Sequence, residues 1–171
     1  MLVVLAVSGV VFAGVYTSLD SGLRVHAVGA ARVESQQAAR VALNRIAREI
    51  RITGVGASAD FPAVAVADPA RIVLASDLDG DGGIAARGER ITWHLDGSTL
   101  RRDAGGGAQP IADGVEQFTV RYFDAHGLPT ADPAAVRAVE VTIRAANPGP
   151  PSTLTRGAST QLSTTIRLRN R

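Results

Sequence analysis

The chain contains no cysteine and no lysine. Without cysteine there is no disulfide framework, no thiolate zinc site and no thiol nucleophile. All 18 basic residues are therefore arginine, and the 16 acids leave a formal net charge of +2. Aromatic residues make up 4% of the 171, so a core has to be built from Val, Ala, Leu and Ile. Met1 to Leu19 holds no charge, and Ser21 to Thr53 holds no proline.

What is present is enough for one folded domain or a small domain on a stem. Hydrophobic residues are 46% and charged residues 20%, which excludes a disordered chain. The charge is unevenly spread. Residues 1–53 carry six arginines and three acids, or +3; residues 54–171 carry twelve and thirteen, or −1. A nucleic-acid-binding protein usually clusters its basic residues on its body, so DNA binding is disfavoured without being excluded.

The uncharged run Met1–Leu19 reaches roughly 28 Å as a helix, close to the thickness of a bilayer core. It suits a retained membrane helix, a cleaved secretory signal or a buried helix. No basic segment precedes it, as a signal peptide requires, although Val25-His-Ala27 has the small-x-small form of a cleavage site. Apolar residues continue as Val25, Val28, Ala31, Ala39, Leu43, Ile46, Ala47 and Ile50, at spacings of three and four. Arg40, Arg45, Arg48 and Arg51 take the other faces, and Glu49 lies one turn from Arg45. Gly54 and Gly56 provide the stop. The pattern predicts one helix from Met1 to about Thr53, in which residues 1–20 insert in a membrane and 21–53 form an amphipathic stem. A helix that continues straight out of the apolar run favours retention over cleavage. Arg24, Arg32 and Arg40 follow the run with no charge before it, which by the positive-inside rule would set the body in the cytoplasm.

Residues 54–171 change texture, with frequent proline and glycine and a period near two. Strands are predicted at Arg71–Ala75, Glu89–Leu95, Ser98–Arg102, Gln117–Phe123, Ala138–Arg144 and Ser163–Arg169, with Asp96-Gly97 as a hairpin signal. Short turns between consecutive strands imply an antiparallel sheet. The fold class is then α+β, a long N-terminal helix packed on an antiparallel β-sheet. Gly105-Gly-Gly107 and Asn147-Pro-Gly-Pro-Pro151 read as turns or linkers.

The clearest chemical motif is Ser76-Asp-Leu-Asp-Gly-Asp-Gly-Gly83. Asp77, Asp79 and Asp81 stand at alternate positions before Gly82, as at the start of a calcium loop. An EF-hand needs glutamate at its twelfth position. Gly88 stands there, with Glu89 one residue later, and strands rather than helices flank the loop. The alternatives are a non-EF calcium site closed by Glu89 and a plain acidic connection. His26, His94 and His126 are scattered, with no partner at metal-ligand spacing. No G-x-S-x-G is present, and Ser152, Ser159 and Ser163 lie in a Ser/Thr-rich tail that reads as turn and strand. An enzyme is therefore not expected, and no small-molecule substrate is implied. Arg167, Arg169 and Arg171 alternate with Leu168 and Asn170, which predicts a strand with Ile166 and Leu168 facing the core.

Together these residues resemble a known family. Met1-Leu-Val-Val-Leu-Ala-Val-Ser-Gly-Val-Val11 is similar to the segment just after the cleavage motif of type IV prepilins and type II secretion pseudopilins. Ala39–Arg51 followed by glycine is similar to their helix end. Asp77-Leu-Asp-Gly-Asp-Gly82, Gly88-Glu-Arg-Ile-Thr92, Gly114–Tyr122 and Thr164–Asn170 resemble minor pilins of the PilW type and J-type pseudopilins. The family's leader, cleavage glycine and following glutamate are missing, and Met1 would fall just after that glutamate. The resemblance thus points to a translation start further upstream. It implies a bacterial inner-membrane subunit with a periplasmic domain, later extracted into a pilus or pseudopilus. Its role there is non-catalytic, priming or capping the filament beside other pilin or pseudopilin subunits. Ser8, Gly9, Ala13 and Gly14 are small enough for close helix packing in such a bundle. The competing expectation is a membrane-anchored exported β-domain that binds calcium, sugar or DNA without polymerising.

Overall fold

In the computed structural model, residues 1–56, 61–145 and 159–170 are described. Helix α1 runs unbroken over Leu2–Ile52. Eight strands follow: β1 Val64–Asp68, β2 Arg71–Ala75, β3 Arg90–Asp96, β4 Thr99–Asp103, β5 Gln109–Ala112, β6 Val115–Phe123, β7 Ala138–Ala145 and β8 Thr160–Arg167. A short 3-10 turn, η1, covers Pro133–Ala135. The expected α+β class, a long N-terminal helix on antiparallel sheet, is what the chain adopts. The strands form two sheets rather than one: β1-β2-β3-β4-β5 and β6-β7-β8, antiparallel throughout.

The helix lives in two environments. From Leu2 to Glu34 every described side chain is exposed apart from a partly covered Asp20, including Phe12, Val15 and Leu23. Contact with the body begins at Ser35, later than the expected stem boundary at residue 21. Ala39, Ala42, Leu43, Ile46, Ala47 and Ile50 then form a stripe buried against both sheets. Full burial of a side chain such as Ile46 or Ile50 contributes about 1.5–3 kcal/mol. Arg40, Arg48 and Arg51 face solvent as expected, with Arg45 partly covered.

Glu49 fixes how this stripe seats. Its Oε1 accepts from Arg102 Nε at 2.7 Å, and Arg45 Nε lies 3.5 Å away. Its Oε2 accepts from the indole N–H of the fully buried Trp93 at 2.7 Å. The expected Glu49–Arg45 pair is present, and two partners from β3 and β4 join it. The helix ends at Thr53, whose Oγ1 donates to the carbonyl of Ala75 at 2.9 Å. Gly54 has φ +82°, and a Cβ there would collide with the carbonyl of Asn170, so only glycine fits.

Two strands escaped the sequence pattern. β1 is the Val/Ala alternation Val64-Ala-Val-Ala-Asp68, whose alanines have little β-propensity. β5 is four residues long and contains Pro110, allowed because it lies on a sheet edge. The β3–β4 turn is Gly97-Ser98, with only Gly97 at positive φ (+60°), which matches a type II′ rather than a type I′ hairpin. Ile166 and Leu168 are buried while Arg167 and Arg169 are exposed, as the alternation predicted; Arg171 lies outside the described residues. Ser152 and the 147–151 segment also lie outside them.

Removing a partner of Glu49 strands a nearly buried carboxylate. Arg102→Met is expected to destabilise the chain by roughly 2–3 kcal/mol, at or below the lower end of the range for breaking a buried pair because Arg102 is partly exposed. Urea unfolding of the full chain in detergent would measure it. The turn after β6 gives a pH test. Asp124 Oδ1 accepts from the amides of Leu128 (2.9 Å) and His126 (2.8 Å), and these bonds hold its carboxyl below the ordinary aspartate range. The turn is therefore stabilised at neutral pH and loses that support as pH falls through the lowered value. The protection of the His126 and Leu128 amides, relative to their intrinsic exchange at that pH, should fall there; acid-insensitive protection would contradict the assignment.

Candidate functional site

The loop between β2 and β3 gathers the acidic residues. Carboxylate oxygens of Asp77, Asp79 and Glu89 lie within 4.8 Å of one another, the one such grouping among the described residues. Asp77 and Glu89 are buried, and Asp79 is exposed. Asp81, expected as a fourth ligand, stands outside this group, and its Oδ1 accepts from Gly83 N at 2.6 Å.

The loop is knitted by its own amides. Asp77 accepts from Gly80 (2.6 Å) and Gly82 (3.0 Å). Glu89 Oε1 accepts from Leu78 (2.9 Å), with Asp79 N further off at 3.4 Å, and Oε2 accepts from Ala86 (2.8 Å). Asp79 Oδ1 accepts from Asp81 N at 3.1 Å. Gly80, Gly82 and Gly88 supply the positive φ angles these turns require. The amide of Leu78 chiefly, with those of Ala86 and Asp79, holds the Glu89 carboxyl below its ordinary range against the opposing effect of burial. Asp79 moves the other way. The Asp81 amide pulls its value down, but burial and the charges of Asp81, Glu89 and Asp77 outweigh that and raise it.

A carboxylate has about four lone-pair directions, and these carboxylates use between one and three of them. Oxygens on Asp77, Asp79 and Glu89 can therefore still face a hard cation, which would relieve the repulsion felt by Asp79. The donor set fits an oxygen-seeking divalent ion with three carboxylates, one fewer than expected.

The loop is also joined to the end of α1. Asp77 N donates to Val55 O at 2.8 Å, and a Cβ on Gly56 would come within 2.7 Å of the Asp77 Cβ. A cavity of about 110 Å³ separates them, lined by Glu49, Thr53, Leu74, Leu78, Glu89 and others. Sequence spacing identified Asp77, Asp79 and Glu89; it gave no sign of the connection to residues 55 and 56, which are distant in the chain.

The second candidate surface is the exposed part of α1. Leu2–His26 is 25 residues long and contains an 18-residue window of mean hydropathy 2.1, long and apolar enough to cross a membrane. The expected packing residues do not share one face. At 100° per residue, Gly9 and Ala13 are neighbours, whereas Ser8 and Gly14 point elsewhere. Gly14 instead aligns with Ser18 and Gly22, forming an open groove walled by Val11, Val15, Leu19 and Leu23. A spacing of four small residues was the available signal for it.

His26, His94 and His126 take part in no metal grouping among the described residues. Compared with protein-family models and with curated proteins, the sequence matches none.

Glu89→Gln replaces a charged acceptor with an amide whose NH2 faces backbone donors. Exchange of the Leu78 and Ala86 amides should rise roughly tenfold or more. Unchanged exchange, followed by NMR on the full chain, would mean the carboxylate does not hold the loop.

Proposed function

We propose that the chain is a non-catalytic filament subunit, a minor pilin or pseudopilin that primes or caps a type IV pilus or type II secretion pseudopilus. One observation carries the reading: a single helix, Leu2–Ile52, is uncharged through Leu19, has its described side chains in the first half exposed apart from a partly covered Asp20, and is buried against antiparallel sheets in its last turns. Such a helix can dwell in a bilayer and later pack among other helices without refolding the body. The Gly14-Ser18-Gly22 groove gives a neighbouring helix a place for close approach. The resemblance of the N-terminal run, the helix end and the C-terminal strand to pilin subunits supports the same reading. It implies an inner-membrane position with a periplasmic body and other pilin or pseudopilin subunits as partners.

The experiment is deletion and complementation in the native bacterium, scoring surface filaments and secretion. Loss of either, restored by the wild-type gene but not by Gly14→Leu/Gly22→Leu, is the expected result. If filaments and secretion both persist after deletion, the subunit reading fails.

The grouping of Asp77, Asp79 and Glu89 favours a second property, calcium binding by the β2–β3 loop. It belongs equally to a subunit or to an anchored β-domain that does not polymerise. Calcium at a hundredfold excess over its Kd should raise the Tm of the full chain in detergent by about 5–10 °C. Asp79→Ala should abolish the rise, and an unchanged wild-type Tm would exclude the ion.

A further inference from the structure

A sheet edge exposes unpaired N–H and C=O groups, and folded proteins commonly blunt their edges. Three of the four edges here are blunted. β5 is short and carries Pro110. β1 is irregular between Val64 and Val66, and η1 and β6 pack beside it. On β6 the amides of Val115 and Val120 donate to Ser98 O and Pro69 O, and Tyr122 O accepts from Thr130.

β8 differs in every respect. It is eight residues long, pairs with β7 in unbroken register, contains no proline, and is uncharged from Thr160 to Ile166. The direction of its backbone groups follows from the ladder. Leu168 N donates to Arg137 O at 3.0 Å, and the two stand opposite each other in the register that pairs Arg167 with Ala138. Bonded pairs alternate in an antiparallel ladder. Even-numbered residues therefore bond to β7, and Gln161, Ser163, Thr165 and Arg167 direct their N–H and C=O outward. No backbone group among the described residues bonds to those four.

A second copy could fill this edge in one register. With Thr164 on the two-fold axis, Gln161 would bond with Arg167 and Ser163 with Thr165, while Leu162 met Ile166 on the buried face. That pairing reverses one copy. β8 runs alongside α1, because Gln36 Nε2 donates to Thr160 Oγ1 at 2.8 Å and Asn170 Nδ2 lies 3.4 Å from Ile52 O. The reversed copy would send its apolar helix the opposite way, and two chains held by that helix in one membrane cannot do this.

We propose that the free edge of β8 is a strand-addition site for an antiparallel, extended segment of a different protein. That segment carries Val, Ile, Leu or Thr opposite Leu162, Thr164 and Ile166, where its side chains extend the buried row, and bonds to the backbone of Gln161, Ser163 and Thr165. The inference requires the helix to sit in a membrane and does not require a filament.

The test uses the full chain in lipid nanodiscs and, as probe, the anchor-free peptide Thr-Gln-Leu-Ser-Thr-Thr-Ile-Arg-Leu, a copy of 160–168. At saturating peptide, amide exchange at Gln161, Ser163 and Thr165 should slow by roughly tenfold. Thr165→Pro removes an outward N–H and no ladder bond, so the fold persists and the slowing at Gln161 and Ser163 disappears. Gln161→Pro, near the strand's start, should act likewise. Unchanged exchange in the wild type, or slowing that survives both substitutions, would overturn the proposal. So would protection of these amides before peptide is added. A dimer in nanodiscs that Thr165→Pro dissolves would assign the edge to a second copy instead.

Discussion

The fold depends on how the last turns of α1 are seated. Their stripe, from Ala39 to Ile50, packs against strands of both sheets. Apolar contact is non-directional, so it alone would let the helix slide or rotate. Glu49 removes that freedom, because its two oxygens meet an indole from β3 and a guanidinium from β4. A carboxylate in this place is tolerable only while both donors are present, since an unpaired charge there has neither water nor partner. The interaction thus sets the helix rotation more than it adds to stability. Tyr122 does related work between the sheets: its hydroxyl reaches the carbonyls of Asp68 at 2.9 Å and Arg71 at 3.2 Å.

From that seat the acidic loop inherits its position. The helix ends at Thr53, Gly54 turns, and Val55 O receives the amide of Asp77. The loop's carboxylates are then held by short amide bonds, which account for its shape. Asp79 is the exception: it is exposed, keeps one oxygen unbonded to any described donor, and feels the charge of its neighbours. A cation would change the charge balance of a loop already formed. Because Glu89 and Glu49 line the same cavity, such a change would be felt at the helix end.

Much of this was legible from residues alone, for physical reasons. The helix was visible because an uncharged run, a period-3.6 apolar stripe in its last part, the absence of proline and the glycines at its end all agree. β3, β4, β6, β7 and β8 carry β-branched or aromatic alternation and were found. β1 was missed because alanine replaces those residues, and β5 because proline usually forbids a strand. Asp77, Asp79 and Glu89 were legible as a spacing. The exclusion of Asp81 was not, because it depends on which way each carboxylate turns to reach a local amide. The partners of Glu49 from β3 and β4 were equally hidden: Arg102 is 53 positions away, and nothing in its local sequence separates it from Arg101, whose side chain pairs with Asp96.

The open edge of β8 can be read against the same helix. A long uncharged edge strand is normally a hazard, because its best partner is an identical copy. For β8 an antiparallel copy must arrive reversed. Since β8 lies along α1, a membrane that held the helix would also orient the strand, and antiparallel self-pairing would be blocked by geometry rather than by charge or proline. β1, β5 and β6 are each closed by local means. In the proposed membrane setting the helix would thus do two things that no residue of β8 does: block antiparallel pairing between copies, and leave the edge to a strand that is not bound to the same orientation.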